Sequence, residues 1–504
     1  MNYADLFRVT LPETMLEIAA LLVLVVDLAF LRKAALRVRA AAAAMVGVAG
    51  CVAAAWALSA TGGAALLAGD ELLLAGGGSA AAAQYGILAL TALTLLLLID
   101  SVFTRHVGEF VAVVLMAATG GLLIAGAQDL LVIFIGLELL SLGLYILTAF
   151  AKQSGRSAEG AMKYYLFGGM SAAFLLFGFS YLYGLTGSTN LLAVMQGIHH
   201  ANGPSVDPLL LVSLVMIAAG LGFKVAAAPF HFWAPDAYEG APAPGAAFIA
   251  SVSKVASFAL LISIGTAGAY ALGPSNAGGE GFVGPWTLVV TLLSLASMLA
   301  GNLAALAQIS VRRLLAYSAV AHAGYILLGL AFFSHSNASA AAILYYILTY
   351  GLTTIGAFGV VGVVERATGS DRMDAFLGLY KRSPALAAVL LVLFLSLAGI
   401  PPLVGFWAKF NLFAAVLGVG AGAIPFALVA LAVALSAVSL YYYLQVLKRA
   451  FVMPVVDDPA GRDEKIRIDP VTMIVLVAIA AAVVVMGCFP ALLQGWIAGF
   501  YPVS

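Results

Sequence analysis

Charge is what this sequence has least of. Only 9% of its 504 residues are Asp, Glu, Lys or Arg, while 63% are hydrophobic. That charged share is about a third of what a soluble domain carries. A soluble chain of this length would have to hide every apolar run in one core, which surface-to-volume scaling excludes. The 23 basic and 23 acidic side chains cancel, so nothing favours nucleic acid as a partner. The two cysteines, Cys51 and Cys488, lie far apart inside apolar runs and read as small apolar fillers. Spaced cysteines for iron–sulfur clusters and paired helical histidines for haem are missing. So is a glycine loop that could cradle phosphate after a strand, which leaves ATP and NAD binding unsupported. No cofactor is expected in this chain, and its energy must come from an ion gradient or a partner subunit.

What is abundant is hydrophobic runs close to the 20 residues that cross about 30 Å of hydrocarbon. Runs read against their breakers give fourteen candidate helices. In order they are 11–31, 40–62, 80–102, 108–127, 129–150, 161–184, 209–239, 243–270, 284–306, 312–333, 339–364, 384–418, 425–449 and 470–497. The fold class is an all-α integral membrane protein. The first run carries Glu13, Glu17 and Asp27 and no small-residue cleavage site, so it reads as a retained helix, not a signal peptide.

Lysine and arginine test the count, because short cytoplasmic loops collect them. Nineteen of the 23 basic residues follow helices 1, 3, 5, 9, 11 and 13, and so share one side. Only Arg8 falls on the other side, and Lys224, Lys254 and Lys409 belong to no loop. Miscounting a single helix would have scattered the charges that follow it. The chain is thus expected to be a multi-pass protein of a bacterial inner membrane with both termini periplasmic.

The map also contains a topological repeat within a single membrane domain, 1–504. After helices 1–3 (1–107), helices 4–8 (108–270) and 9–13 (284–450) form two groups of five, followed by a last helix (470–497). Five is odd, so the groups are inverted, a pattern typical of ion-coupled transporters. The fourth helix of each group is interrupted by proline: Pro229 and Pro235 in helix 7, Pro401 and Pro402 in helix 12. Proline breaks the hydrogen-bond ladder, and such breaks survive in membranes where protein or a hydrated cavity satisfies the freed groups.

Four ionisable residues lie deep in apolar runs: Glu138 in helix 5, Lys224 in helix 7, Lys254 in helix 8 and Lys409 in helix 12. Each costs about 2.5–3.5 kcal/mol at the bilayer centre, or on the order of 10 kcal/mol together. One acid cannot neutralise three bases, so a single structural ion pair does not account for them. Lysine suits proton transfer because desolvation loosens its hold on a proton and a nearby carboxylate tightens it. The expectation is that Glu138 modulates Lys224, with Lys254 and Lys409 completing a row across the subunit. His322, about 15 Å into helix 10, is a candidate proton relay, against the plainer reading of a histidine bonded to a neighbouring helix. Lys163 at the start of helix 6 is either a relay or a topology determinant. His231 reads as structural, Asp236 and Glu239 as loop acids that cap helix ends or bind neighbours, and His199 and His200 as part of a polar loop.

Three stretches carry a resemblance. Phe223-Lys224 followed by Pro229-Phe230-His231-Phe232-Trp233-Ala234-Pro235-Asp236-Ala237-Tyr238-Glu239-Gly240-Ala241-Pro242, with Ser253-Lys254, is the most specific. The others are Arg312-Arg313-Leu314-Leu315-Ala316-Tyr317-Ser318 with Ala321-His322-Ala323-Gly324-Tyr325, and 399–410 from Gly399 through Pro401-Pro402 to Lys409-Phe410. Together they resemble the antiporter-like membrane subunits of respiratory complex I (NADH-quinone oxidoreductase), the subunit N type most of all. The subunit M type places glutamate where Lys409 stands, and the subunit L type carries a long C-terminal extension.

The resemblance implies that Glu138, Lys224, Lys254 and Lys409 are the family's proton-transfer residues. It implies a proton-translocating subunit of an NADH-quinone oxidoreductase, packed in lipid against other complex I membrane subunits, subunit M and small membrane subunits among them. FMN and iron–sulfur clusters would sit in partner subunits, and NADH and quinone would meet this chain only through the whole complex. The alternatives are a subunit of a cation/proton antiporter and a scaffold without an ion path.

Overall fold

A computed structural model describes residues 3–62, 65–68, 71–101, 103–201, 207–272, 284–333, 337–418, 423–453 and 465–501. Arg462, one of the basic loop residues, lies outside them. Almost everything described is α-helix, as lipid requires of a backbone that has no water to bond. Among the described residues, eleven helices are long and apolar enough to cross a membrane, and Pro208–Lys224, Pro384–Ala398 and Val404–Gly418 are shorter apolar helices.

Helix starts follow local chemistry. Side chains of Asp129, Ser154, Asp207, Ser310 and Asp469 cap the helices Leu130–Thr148, Gly155–Thr186, Pro208–Lys224, Val311–Ala331 and Pro470–Cys488. Each accepts a backbone N–H that the first turn leaves unpaired. Proline at the first or second position of Pro208–Lys224, Pro285–Leu306 and Pro384–Ala398 gives up an N–H that the helix did not need.

The expected interruptions divide the 209–239 run into Pro208–Lys224 and Trp233–Gly240, and the 384–418 run into Pro384–Ala398 and Val404–Gly418. Other expectations are revised. The 243–270 run, read as continuous, is broken at Ser251 into Ala243–Ala250 and Val252–Leu272. The Gly155–Thr186 helix starts earlier than 161 because Ser154 caps it, which places Lys163 two turns inside. The polar loop after it holds a helix, Leu191–Ala201; the side chains of His199 and His200 lie outside the described residues. A hairpin of Ala65–Ala68 and Glu71–Ala75, with Leu66 opposite Leu74, was not legible beforehand. Cys51 is a buried filler, but Cys488 is on the outer surface.

The span Ala243–Thr266 and the helical spans Val311–Ala331 and Ala338–Thr368 are buried nearly all round, whereas Gly155–Thr186 and Ala423–Phe451 bury only a minority of their apolar spans. The centre of the molecule is therefore formed by the helices that carry Lys254 and His322. Large apolar side chains such as Phe177, Trp56 and Phe426 point outward, where lipid or another membrane subunit replaces water as solvent.

One buried ion pair fastens the N-terminal helices. A π-helical turn, Val26–Phe30, turns Asp27 inward to 1% exposure, where Arg39 donates two 2.6 Å hydrogen bonds and the Gly108 N–H a third of 3.2 Å. Asp27→Ala strands the guanidinium and is expected to cost about 2–3 kcal/mol, less than a fully buried pair because Arg39 reaches the surface. A fall in the thermal midpoint of the purified protein checks this.

Candidate functional site

The two broken helices end in carbonyls that have no partner one turn ahead. Each end is occupied by a lysine. Lys254 Nζ donates to Val225 O, just past the end of Pro208–Lys224, at 3.2 Å, and to Ala319 O of the Val311–Ala331 helix at 2.6 Å. Lys409 Nζ donates to Leu397 O at 3.2 Å and Ala398 O at 2.9 Å, the last carbonyls of Pro384–Ala398, and to Ser436 Oγ at 2.7 Å. A helix C-terminus carries partial negative charge, so it suits an ammonium group in a site without water. The second break depends on Gly399, whose φ of 88° is costly for other residues. A Cβ there would also meet the Lys409 side chain at 3.0–3.4 Å.

Lys224 closes the first half-helix and hydrogen-bonds Ser141 Oγ. Ser141 is one turn beyond Glu138 on the Leu130–Thr148 helix, and Glu138 is near enough to act on Lys224 electrostatically. The two do not form an ion pair; among the described residues the contact of Lys224 on that helix is Ser141. Glu138 itself is only half-buried, on the same helix as the outward-facing Leu131, Ile135 and Leu142.

Aromatic hydroxyl residues fill the spaces between the cations. Lys254 Nζ lies 5.8 Å from the Tyr350 ring centre and the His322 ring 4.8 Å from the same ring. On the far side, His322 is 5.9 Å from Tyr325, whose ring is 5.4 Å from Lys409 Nζ. His322 Nδ1 shares a 2.8 Å hydrogen bond with the Tyr346 hydroxyl. Lys224, Lys254, His322 and Lys409 are thus all buried, at 7%, 3%, 4% and 6% exposure, and Lys254, His322 and Lys409 form one continuous row through Tyr350 and Tyr325. Lys224 joins the row through the backbone, because Val225 O is the acceptor for Lys254.

The end of the molecule that carries the basic residues is clasped by a second, partly buried network. Asp236 accepts from Lys163 at 2.8 Å and from Arg313 at 2.6 Å, and Arg313 also reaches Glu239 at 3.0 Å. Arg312 pairs with Glu365 and donates to Ala241 O at 2.5 Å. Asp236 and Glu239 thus bind neighbours, as expected, but they stand in the Trp233–Gly240 helix and not in a loop, and they tie it to the Val311–Ala331 helix. Lys163 belongs to this network and bonds Glu159 as well, at 2.7 Å. His231 is buried beside the break, stacked on Phe232.

Sequence reasoning found the cations and missed the groups that hold them. Ser141, Ser436, Tyr350, Tyr325 and Tyr346 carry no signal of their own in an apolar run, because a serine or tyrosine costs little when its hydroxyl finds a partner. The His322–Tyr346 bond joins two neighbouring helices.

Residues 127–436 match the family described as NADH:quinone oxidoreductase/Mrp antiporter, transmembrane. A relative named NADH-quinone oxidoreductase subunit N 2, from Acidobacterium capsulatum, is 47% identical over 510 residues, covering 99% of both chains. Among solved structures, a chain of respiratory complex I from Thermus thermophilus with bound aureothin is 32% identical, with a TM-score of 0.75 over 96% of this chain and 98% of that one. A chain of an Mrp complex from a Dietzia species shares the fold at a TM-score of 0.79 and 22% identity, covering 98% of this chain and 96% of that one.

Proposed function

Because this chain belongs to the NADH-quinone oxidoreductase subunit N family, we propose that it carries protons across the membrane for that complex through Glu138, Lys224, Lys254 and Lys409. It is a membrane subunit of a translocase: oxidation of NADH and reduction of quinone supply the energy, and this chain supplies part of the path. FMN and iron–sulfur clusters belong to partner subunits, and subunit M and small membrane subunits are its neighbours in lipid. The protein crosses a bacterial inner membrane fourteen times, with its basic face cytoplasmic and both termini periplasmic.

The observation that carries the reading is the seat of Lys254. Its ammonium bonds one carbonyl from each five-helix group, Val225 in 108–270 and Ala319 in 284–450. A small relative shift of the two groups therefore changes the ligands of the central cation. Inverted symmetry between the groups is supported by their opening pairs, which approach at glycines: Gly120 against Leu140 and Gly136 in the first, Gly301 against Ala321 in the second. Each group also places a lysine beside a broken helix.

In this mechanism Lys224 is loaded and unloaded according to the charge on Glu138. Bringing a carboxylate near the ammonium stabilises it, and neutralising or withdrawing that carboxylate lets the proton go. The proton then passes along Lys254, the Tyr350–His322–Tyr325 row and Lys409. His322 can accept and donate through its two ring nitrogens. Lys163, bonded to Asp236, offers a relay position at the cytoplasmic end. Each charge moved against 100 mV requires about 2.3 kcal/mol, which redox chemistry in the partner subunits provides.

Glu138→Gln keeps the shape and removes the charge. In vesicles containing the assembled complex, it is expected to lower proton transport about ten-fold or more while NADH continues to be oxidised. Unchanged transport would remove Glu138 from the mechanism. Co-purification of an FMN-containing NADH dehydrogenase with this chain separates the assignment from a free-standing cation/proton antiporter, which would move sodium without NADH.

A further inference from the structure

We propose that buried hydroxyls of Thr354 and Tyr238 form the loading path by which protons reach Lys254 from the cytoplasmic face; this rests on the reading that Lys254 carries protons. The Asn337–Thr368 helix presents Tyr350, Thr354, Phe358 and Gly362 at four-residue spacing, so the four lie along one stripe of its surface. From Tyr350 to Gly362 the stripe runs about 18 Å. At its inner end the Tyr350 ring faces Lys254 Nζ, and the Tyr350 hydroxyl is directed at Thr354. At its outer end Gly362, with Glu239, Arg312, Glu365 and Arg366, lines a cavity of about 410 Å³ at the basic face. A smaller void of about 20 Å³, lined by Ser101, Thr472 and Gly359, adjoins it and shares Gly362. That is room for one water molecule.

Between cavity and lysine stand two buried hydroxyls: that of Tyr238 has no hydrogen-bond partner, and that of Thr354 meets the Tyr350 hydroxyl. Thr354 Oγ1 is in a residue 2% exposed, and the Tyr238 hydroxyl is in a residue 0% exposed, with its ring 5.6 Å from Phe358. Other buried threonines of this helix are satisfied locally: Thr349 and Thr353 donate to carbonyls of the preceding turn. Thr472 Oγ1, in the adjoining void, is likewise unpartnered. Buried polar groups are nearly always paired, so the unpaired hydroxyls of Thr472 and Tyr238 on the cavity side, continued by the Thr354–Tyr350 contact toward the buried cation, mark a route that water and protons use. Each hydroxyl accepts a proton on its oxygen as it passes its own onward, and so ends neutral. The proton arrives at the Lys254 amine, converting NH₂ to NH₃⁺. The motif residue Tyr238 thereby acquires a task that its neighbours Asp236 and Glu239, engaged in ion pairs, do not perform.

The test uses the whole complex in vesicles, with proton transport and NADH oxidation measured together. Thr354→Val keeps the shape of the side chain, and Tyr238→Phe removes one oxygen; each is expected to lower protons moved per NADH about ten-fold. Thr354→Ser should restore transport, which a purely packing role would not demand. Lys254→Ala in parallel separates the two ideas. If it abolishes transport while Thr354→Val and Tyr238→Phe leave it intact, the path is wrong and the lysine reading stands. If Lys254→Ala transports normally, the reading beneath the path has failed. Should Thr354→Val not assemble, Thr354→Cys in a Cys51→Ala, Cys488→Ala chain offers an independent readout. Modification of that chain, read by mass, by a small membrane-impermeant thiosulfonate added at the cytoplasmic face supports a hydrated route; complete resistance overturns it.

Discussion

Lys254→Arg is expected to stop proton translocation as fully as Lys254→Ala, with the subunit still assembled. The guanidinium keeps the positive charge and donates to both Val225 O and Ala319 O, the acceptors now held by the ammonium. It cannot give up its proton in a protein. The arginine variant thus preserves everything a scaffold needs and removes the one property that transport needs. Loss of a positioned acid–base group costs typically 10²–10⁴-fold, so transport should fall below about one hundredth. Lys409→Arg makes the same prediction at the second break, where three acceptors are available. The measurement is the pH gradient built by vesicles oxidising NADH, normalised to the amount of assembled complex. Normal pumping by both arginine variants would show that the lysines serve as fixed charges, and the proton path would have to lie elsewhere.

Gly301→Leu should prevent stable assembly altogether. The helices Pro285–Leu306 and Val311–Ala331 approach so closely that a Cβ on Gly301 would sit 2.4 Å from Ala321 N and 2.8 Å from Tyr317 O. Gly324 meets the partner helix in the same way, 2.7 Å from Met298 N. These are backbone atoms and cannot rotate aside. Small residues at such contacts are what hold membrane helices together, since lipid gives apolar side chains no reason to associate. Overpacking costs about 1–3 kcal/mol where neighbours can adjust, and a whole isobutyl group against rigid backbone exceeds that range. The displaced helix also carries Ala319 and His322, so the Lys254 seat is lost with it. Gly184, which has nothing within 4 Å of its would-be Cβ, is the control: Gly184→Ala should be neutral or stabilising by up to about 1 kcal/mol. Thermal unfolding in detergent and the yield of assembled complex compare the two. Native yield from Gly301→Leu would mean that the helices stand further apart.

By itself the sequence determined which segments are helices apolar enough to span lipid, and which side chains are out of place there. Hydrocarbon forces every spanning segment to satisfy its own backbone, so runs such as 108–127 and 312–333 had one option, and Pro229, Pro401 and Pro402 had to mark interruptions. Lys224, Lys254 and Lys409 were legible because a charge among apolar residues has a transfer cost that no neighbour in sequence offsets. What those lysines bind was decided only by tertiary structure. Lys254 and its acceptor Ala319 are 65 residues apart, and their meeting depends on close packing at glycines whose partners no sequence pattern names. The break at Ser251, the ion pairs of Asp236 and the unpaired hydroxyl of Tyr238 belong to the same category. A hydroxyl or a helix kink has little cost in isolation, and so its role is set by which group the folded chain brings against it.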